Sequence, residues 1–386
     1  MKRIISFIIA VLLLLSLCAC AATEPPKAPE SIYLEDYEQL WADLRVNYPF
    51  FPVLEAQGID VNAVYEQYLP YAEGCSDTAQ FMEILDLMFA KLRCFAHLSL
   101  IRRDRYETML STLSQYGSFE PWLKVLNAPA TAAAYAKLPR TDSVSPSAQS
   151  AGVEFKYYPD IYTAYFRFPA MYPDYAAHEG LIADKLSEIR HLEHIIIDVT
   201  GNPGGSTAYW ENVIVRPFGG VYEGSFRVFY QASPINELYY SGRELLPLDG
   251  SAPAFASELE AEYMELTAIG GDYGQPSLSS GAEARRWVLI DRHSYSAAEH
   301  FAAFCKLTGW ASLVGEPGGG DGLGGQPVLL PLKNTGLLIY FSTAMGENPD
   351  GSLNTAGGVK PNYPCPPKEN ISALEYCLEL IEKGSA

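Results

Sequence analysis

Positive charge is scarce in this sequence. The 386-residue chain has 27 Lys+Arg against 46 Asp+Glu, a formal net charge of −19 at pH 7. Nucleic-acid binding needs clustered Lys and Arg facing phosphates, so this balance weighs against a nucleic-acid partner and against purely electrostatic attachment to anionic lipid. No CxxC pair occurs, and no cysteine or histidine spacing suits zinc. Beyond a short apolar run at the N-terminus, no stretch is long and apolar enough to span a bilayer. Internal repeats are lacking too. What is present is 48% hydrophobic and 12% aromatic residues, which excludes a disordered or collagen-like chain and supplies the core of one large or two smaller domains.

The apolar run, Ile4 to Leu17 behind Lys2 and Arg3, has the length of a signal-peptide core. It ends in Leu17-Cys18-Ala19-Cys20, which resembles a bacterial lipobox with Cys20 as the lipidated residue; a plain secretory signal is the simpler alternative. The expected organisation is a lipoprotein signal peptide over 1–19, a tether over 20–31, a helical module over 32–100, a less regular connecting segment over 101–152, and an α/β core over 153–386. Five cysteines follow Cys20, an odd count that permits two disulfides and one thiol, or no disulfides.

Tyr37, Leu40, Trp41 and Leu44 mark one amphipathic helix, stopped near Pro49. Asp60 is placed to cap a second, and Ser76 or Thr78 a third carrying Phe81, Leu85, Met88, Phe89 and Leu92. From Val153 strands and helices alternate: strands over 153–158, 162–168, 194–199 and 286–290, a hairpin turning at Lys333-Asn334-Thr335-Gly336, and a last helix with Leu374, Cys377, Leu378 and Ile381. The connection between Gly242 and Gly281 is long enough for a lid, with a helix expected near Glu258–Leu266.

Two strand–turn–helix units carry possible chemistry. After Ile195–Val199 comes Thr200-Gly201-Asn202-Pro203-Gly204-Gly205. Adjacent glycines there can turn backbone N–H groups outward toward an oxyanion, or form a tight turn with no ligand. This turn has neither dinucleotide-binding spacing nor a following Gly-Lys-Ser/Thr. After Val288–Asp291 comes Arg292-His293-Ser294-Tyr295-Ser296, then a helix from Ala297. A serine at such a bend exposes its hydroxyl and leaves the following amide, that of Ala297, free for an oxyanion; equally, Ser294 or Ser296 can merely cap the helix.

Taken together, these segments resemble the tail-specific proteases, or C-terminal processing peptidases, relatives of the tricorn core protease. Leu92-Arg93-Cys94-Phe95-Ala96-His97-Leu98-Ser99-Leu100 is similar to the family's Leu-x-Asp-Gly-His-Thr-x-Leu segment. Tyr165-Phe166-Arg167-Phe168 resembles its Tyr-Ile-Arg-Ile strand, and Asp198 through Gly205 its Asp-Leu-Arg-Gly-Asn-x-Gly-Gly signature. Ser294-Tyr295-Ser296-Ala297-Ala298-Glu299, Val314-Gly315-Glu316-Pro317 and Gly358-Val359-Lys360-Pro361-Asn362 match three later motifs in order.

The resemblance implies a crotonase/ClpP-like α/β core of strand–strand–helix units, behind an N-terminal helical module. It selects Ser296 as nucleophile, three residues before Glu299. Where the bacterial processing proteases carry a catalytic lysine, in Gly-Glu-x-x-x-Gly-Lys-Gly, this chain has Asp321, so a Ser–Lys dyad is not expected. The tricorn-like branch uses a histidine from the early segment, which points to His97 as base, since imidazole can take and return a proton near neutral pH. For the third group the resemblance offers Glu347 and Asp350, with Asp321 as a rival; Gly204, Gly205 and Ala297 are the expected oxyanion donors. Phe95-Ala96 replaces the family's Asp-Gly before the histidine, and no segment between His97 and Val153 suits a PDZ domain. Asp198 is expected to tie its loop together, and His178, His191, His194, His293 and His300 to pack or face solvent.

The implied activity is that of a lipid-anchored extracytoplasmic serine peptidase cleaving peptides or protein tails through an acyl-enzyme, with no metal or cofactor. The alternative is an inactive relative that binds peptides or hydrophobic ligands at the cell envelope. An esterase shares the chemistry and differs in its pocket. The oligomeric state is left open.

Overall fold

A computed structural model describes residues 31–114, 119–140, 152–172, 178–278, 283–365 and 371–384. The expected signal peptide, Cys20 and most of the tether lie outside the described residues, as does nearly all of the Asp142–Gly152 segment. Among the described residues no helix is long and apolar enough to cross a membrane.

The chain opens with helices α1 (Ile32–Asn47), α2 (Phe51–Ala56), α3 (Val61–Glu73) and α4 (Thr78–Lys91). Their apolar stripes are buried as the periodicity requires, including Tyr37, Leu40, Trp41, Phe81, Leu85 and Met88. Asp60 caps α3 through the N–H of Ala63. Asp77, rather than Ser76 or Thr78, caps α4, because its carboxylate reaches the N–H of Gln80, three residues on. A short strand β1 (Ser99–Leu100) follows.

The described residues between 101 and 140 are more regular than expected. They hold α5 (Arg103–Leu113), α6 (Glu120–Leu126) and α7 (Pro129–Lys137). Pro121 and Pro129 sit in the first turns of α6 and α7, where a missing N–H costs nothing, so they start helices instead of breaking them.

The core is built on a six-stranded sheet in the order β13-β9-β8-β4-β3-β2. Its strands are β2 (Glu154–Tyr158), β3 (Thr163–Arg167), β4 (His194–Asp198), β8 (Arg285–Ile290), β9 (Ser312–Gly315) and β13 (Tyr363–Pro364). All neighbours pair in parallel except β2 with β3. Both faces of the central strands are covered, which explains the unbroken apolar run of β4. Ile195 and Ile197 face the main core, while Ile196 joins Trp287, Leu289, Val314 and the last helix, Ala373–Glu382.

A four-stranded antiparallel sheet, β12-β5-β7-β6, packs beside it. It comprises β5 (Val221–Tyr230), β6 (Leu246–Pro247), β7 (Tyr263–Asp272) and β12 (Ala344–Gly346). The helix expected near Glu258–Leu266 is therefore replaced by a short helix, Ala254–Glu258, and a strand. Full-length pairing of Tyr263–Asp272 with β5 overrides the helical preference of its Met, Glu and Leu residues. Tyr263–Asp272 of the span expected as a lid is thus a strand fixed in a sheet.

A third sheet, β1-β11-β10, joins β1 to the hairpin of β10 (Val328–Pro331) and β11 (Leu338–Phe341). The hairpin tip docks on α1. Asp36, fully buried, accepts the backbone N–H groups of Asn334 and Thr335, each at 2.8 Å. Asp36→Ala leaves both donors without their acceptor, so a stability loss of about 2–4 kcal/mol is expected. A thermal midpoint unchanged from wild type would contradict this account of how the helical module is fastened.

Candidate active site

The parallel strands β4 and β8 are neighbours, and their carboxyl ends open side by side. Ligand sites in open α/β sheets form in this location. After β8 the chain bends through residues 291–296 into the helix Ala297–Thr308, with Ser296 at its N-cap. Ser296 has φ 55°, ψ −116°, a strained conformation for a residue with a Cβ. Its Oγ caps nothing; it lies 3.1 Å from His97 Nε2. Ser294 instead is buried and donates to the carbonyl of Val199, 2.7 Å away, so it braces the bend.

His97 comes from a tight turn between α4 and β1 in which Arg93, Cys94, Ala96 and His97 all have positive φ. Ala96, standing where glycine would be easier, adopts φ 50°, ψ 51°. Surrounding bonds hold it there. Tyr48 Oη donates to the carbonyl of Phe95 at 2.7 Å, and the N–H of Ser342 to that of Ala96 at 2.8 Å. Pairing of Ser99 with Tyr340 fixes the strand that follows. The imidazole is flanked by the rings of Tyr295 and Tyr340, at centroid distances of 4.9 and 5.8 Å.

His97 Nδ1 makes a short hydrogen bond to Asp321 Oδ2. The same carboxylate oxygen accepts from Ser342 Oγ at 2.9 Å and Tyr295 Oη at 3.0 Å. Tyr295 Oη in turn accepts the backbone N–H of His97 at 3.1 Å. Burial by itself would raise the Asp321 carboxyl, but the neighbouring His97 and the hydrogen bonds outweigh it and hold Asp321 below the ordinary aspartate value. An ionised Asp321 makes Nδ1 the protonated nitrogen, leaving the Nε2 lone pair for Ser296.

Of the expected third groups, the structure brings Asp321 to the imidazole and not the others. Glu347 is held by Arg227 through Nε and Nη2 at 2.6 and 2.7 Å, a bidentate pair that commits both carboxylate oxygens elsewhere. Asp350 pairs with Lys360 at 2.7 Å and is held at about 2, chiefly by the hydrogen bonds from Lys360 and Ser352.

The glycine turn after β4 lies against Ser296. A Cβ on Gly204 would stand 2.7 Å from the amide nitrogen of Ala297 and 2.8 Å from Ser296 Cβ, so only glycine permits this approach. The N–H of Gly204 is not an oxyanion donor, however, because Asn202 Oδ1 accepts it at 2.8 Å. Asn202 is fully buried and curls back on its own turn, a side-chain-to-backbone bond that residue spacing does not reveal. The N–H groups of Gly205 and Ala297 have no partner among the described residues and remain candidates. Asp198 ties the loop as expected, accepting from Thr200 N at 2.8 Å and Tyr165 Oη at 2.7 Å.

His178 bonds Tyr209 Oη, His191 bonds Glu193, and His194 accepts from Trp287 Nε1. His300 is half-buried against Trp210 and Phe226, and desolvation lowers it to about 4. No imidazole of these four has a hydrogen bond to Ser296 or His97 among the described residues; His300 meets Ser296 only through its backbone N–H, which donates to the Ser296 carbonyl at 2.8 Å. The five described cysteines are all free thiols.

Comparison with known proteins shows the family. The family model for peptidase family S41 matches residues 162–365, and that for the tricorn protease C1 domain matches residues 29–90. The S41 match spans more than half of the chain, and the protein belongs to peptidase family S41, the tail-specific proteases. It is a serine-type peptidase. Among solved structures, the chain is similar to a protein of Parabacteroides merdae described as a candidate peptidase, at 17% identity and TM-score 0.55, covering 92% of this chain and 99% of that one. It is also similar to mature CPAF, at 14% identity, TM-score 0.49 and coverage of 91% and 96%. A third is the photosystem II D1 C-terminal processing protease, at 16% identity, TM-score 0.41 and coverage of 91% and 96%.

Sequence reasoning passed over one buried acid as chemistry-bearing. Glu299, on the helix that begins after Ser296, is fully buried, and its Oε2 has no hydrogen-bond partner among the described residues. Burial pushes its carboxyl up to about 8, against the downward pull of the N–H of Val359 and the Asn354 amide. The folded protein therefore keeps a proton that the unfolded chain releases near 4.5. This contribution to stability is fully present below that value and is lost as pH rises through about 8. Glu299→Gln cannot titrate. Between about pH 5 and about pH 9 the wild-type thermal midpoint should accordingly fall relative to that of Glu299→Gln; parallel curves would show that the acid is ionised throughout.

Proposed function

We propose that this serine peptidase cleaves peptides or protein tails through a Ser296–His97–Asp321 triad, at the outer face of the cell membrane, to which a lipid on Cys20 tethers it. The alignment of Ser296 Oγ, His97 and Asp321 in one hydrogen-bonded line is the observation that carries the reading. His97 Nε2 takes the Ser296 hydroxyl proton as Oγ bonds to the scissile carbonyl carbon. The carbonyl oxygen becomes an oxyanion facing the N–H groups of Gly205 and Ala297. On collapse the C–N bond breaks, His97 returns the proton to the leaving amine, and an acyl-enzyme remains. Water then repeats the sequence: His97 removes its proton, the ester bond to Ser296 breaks, and the hydroxyl is restored. Asp321 stabilises the imidazolium formed in each half-reaction and keeps the ring in the productive tautomer.

The soluble domain should be labelled by a fluorophosphonate probe. Ser296→Ala should abolish labelling, His97→Ala should nearly do so, and Asp321→Asn should slow it by about 10³–10⁴-fold. Labelling that survives Ser296→Ala would move the nucleophile elsewhere, and a folded wild-type protein that resists the probe would favour a binding role.

Support for the membrane anchor comes from the residues alone: basic Lys2 and Arg3, an apolar core, Leu17 three before Cys20, and a Pro-rich polar segment after it. In cell fractionation the full chain should sediment with membranes and Cys20→Ala should be released. Retention of the variant in the membrane fraction would rule out lipid at Cys20.

A further inference from the structure

Asp321 stands on a loop between strands, with φ 55°, and nothing in its own turn aims its carboxylate. The aim comes from across the site. Asn354, fully buried, accepts through Oδ1 from the N–H of Gly322 at 2.9 Å and of Leu323 at 3.3 Å, the two residues that follow Asp321. Its Nδ2 donates to Glu299 Oε1 at 2.9 Å and to Asn348 Oδ1 at 2.8 Å. Glu299 is itself fastened at Oε1 by the N–H of Val359, 2.5 Å away. On the other side of Asp321, Gly320 packs on the carbonyl of Asn354, which a Cβ would meet at 2.5 Å. The neighbouring Thr355 donates to Asp321 Oδ1 at 3.4 Å.

We propose that Asn354 is a positioning residue that holds the Asp321 carboxylate on His97, with Glu299 on the nucleophile's own helix as its anchor. The proposal rests on Ser296, His97 and Asp321 being the reacting triad. An asparagine suits the position because one side chain supplies both an acceptor, for two backbone N–H groups, and two donors, for Glu299 and Asn348. An aspartate lacks the donors, and an alanine leaves Gly322, Leu323 and Glu299 without a shared partner. Through this one amide, the helix that begins at the nucleophile and the loop that carries the acid are held in fixed relation. A shift of about 1 Å in such a relation is enough to cost about 10²-fold in rate.

The test uses fluorophosphonate labelling rates and one spectroscopic readout. Asn354→Ala should slow labelling by about 10–10²-fold. In an Asp321→Asn background the same substitution should add little, because both changes remove one interaction. A loss of folded protein alone would instead lower the rate by the same factor in both backgrounds and so multiply with Asp321→Asn. Proton NMR gives the readout that does not need turnover. The downfield Nδ1–H resonance, assigned by its absence in His97→Ala, should shift upfield or vanish in Asn354→Ala. Asn354→Ser, with a smaller hydroxyl in place, serves if the alanine variant does not fold. Multiplying rates, or an Nδ1–H resonance unchanged in the variant, would overturn the proposal. A wild-type protein that shows the resonance but resists the probe would instead overturn the peptidase reading and leave the resonance to decide the role of Asn354.

Discussion

The site depends on three residues from distant parts of the chain meeting at the ends of two parallel strands, and each meets the others from a strained turn. His97, Ser296 and Asp321 have φ of 60°, 55° and 55°. A left-handed backbone at a residue with a Cβ costs of order 1–2 kcal/mol, so each turn persists only because its flanks are over-determined. Before Ser296 the flank is β8, locked between β4 and β9; after it is a helix whose first turn is buried. The His97 turn is held by Tyr48, Ser342 and the β1–β11 pairing. Glycines on both sides of Asp321 allow its loop to press against Asn354 and against the nucleophile's helix.

This explains why the N-terminal helices belong to the catalytic unit rather than standing apart from it. His97 is delivered at the end of α4. Tyr48, at the end of α1, reaches across to the carbonyl before Ala96, and Asp36 in α1 fastens the hairpin whose strand β11 receives β1. An imidazole placed by so many backbone contacts needs little further closure to reach Ser296, at 3.1 Å.

What the residues disclosed in advance follows the strength of their local signals. β4 and β8 were legible because strands buried on both faces read as continuous apolar runs. Ser296 was legible as the residue at a strand-to-helix bend, though only the resemblance, by its spacing of three residues to Glu299, chose it over Ser294, whose bond to Val199 is invisible in sequence. His97 had no local signal beyond its place in that order. Asp321 stood out as an acid where a lysine was expected, but preferring it to Glu347 required knowing that Arg227, on another sheet, had claimed Glu347. Helices α6 and α7 were hidden because they are short and begin at prolines, and β7 because its partner strand, not its own composition, makes it a strand. The occupied N–H of Gly204 was beyond reach for the same reason: motif spacing names the turn and not where each hydrogen bond goes.

An aspartate at position 321 is coherent only together with His97. A lysine in that loop can act as a base directly, by shedding its proton in a dry site. A carboxylate held below its ordinary value, as Asp321 is, is too weak a base to take a serine proton itself. It is, however, well suited to stabilise an imidazolium that has taken one. The acid therefore gains a role only if an imidazole stands between it and the hydroxyl, and the turn that bears His97 supplies one at the cost of four consecutive or near-consecutive residues in left-handed conformations. With the acid supplied from residue 321, Glu347 is released to pair with Arg227 and close the β5–β12 edge of the second sheet. The residue type in this glycine loop is thus tied to the geometry of an early turn and to the pairing of a late carboxylate, and Asp321→Lys alone would place a lysine beside the imidazole without making a dyad.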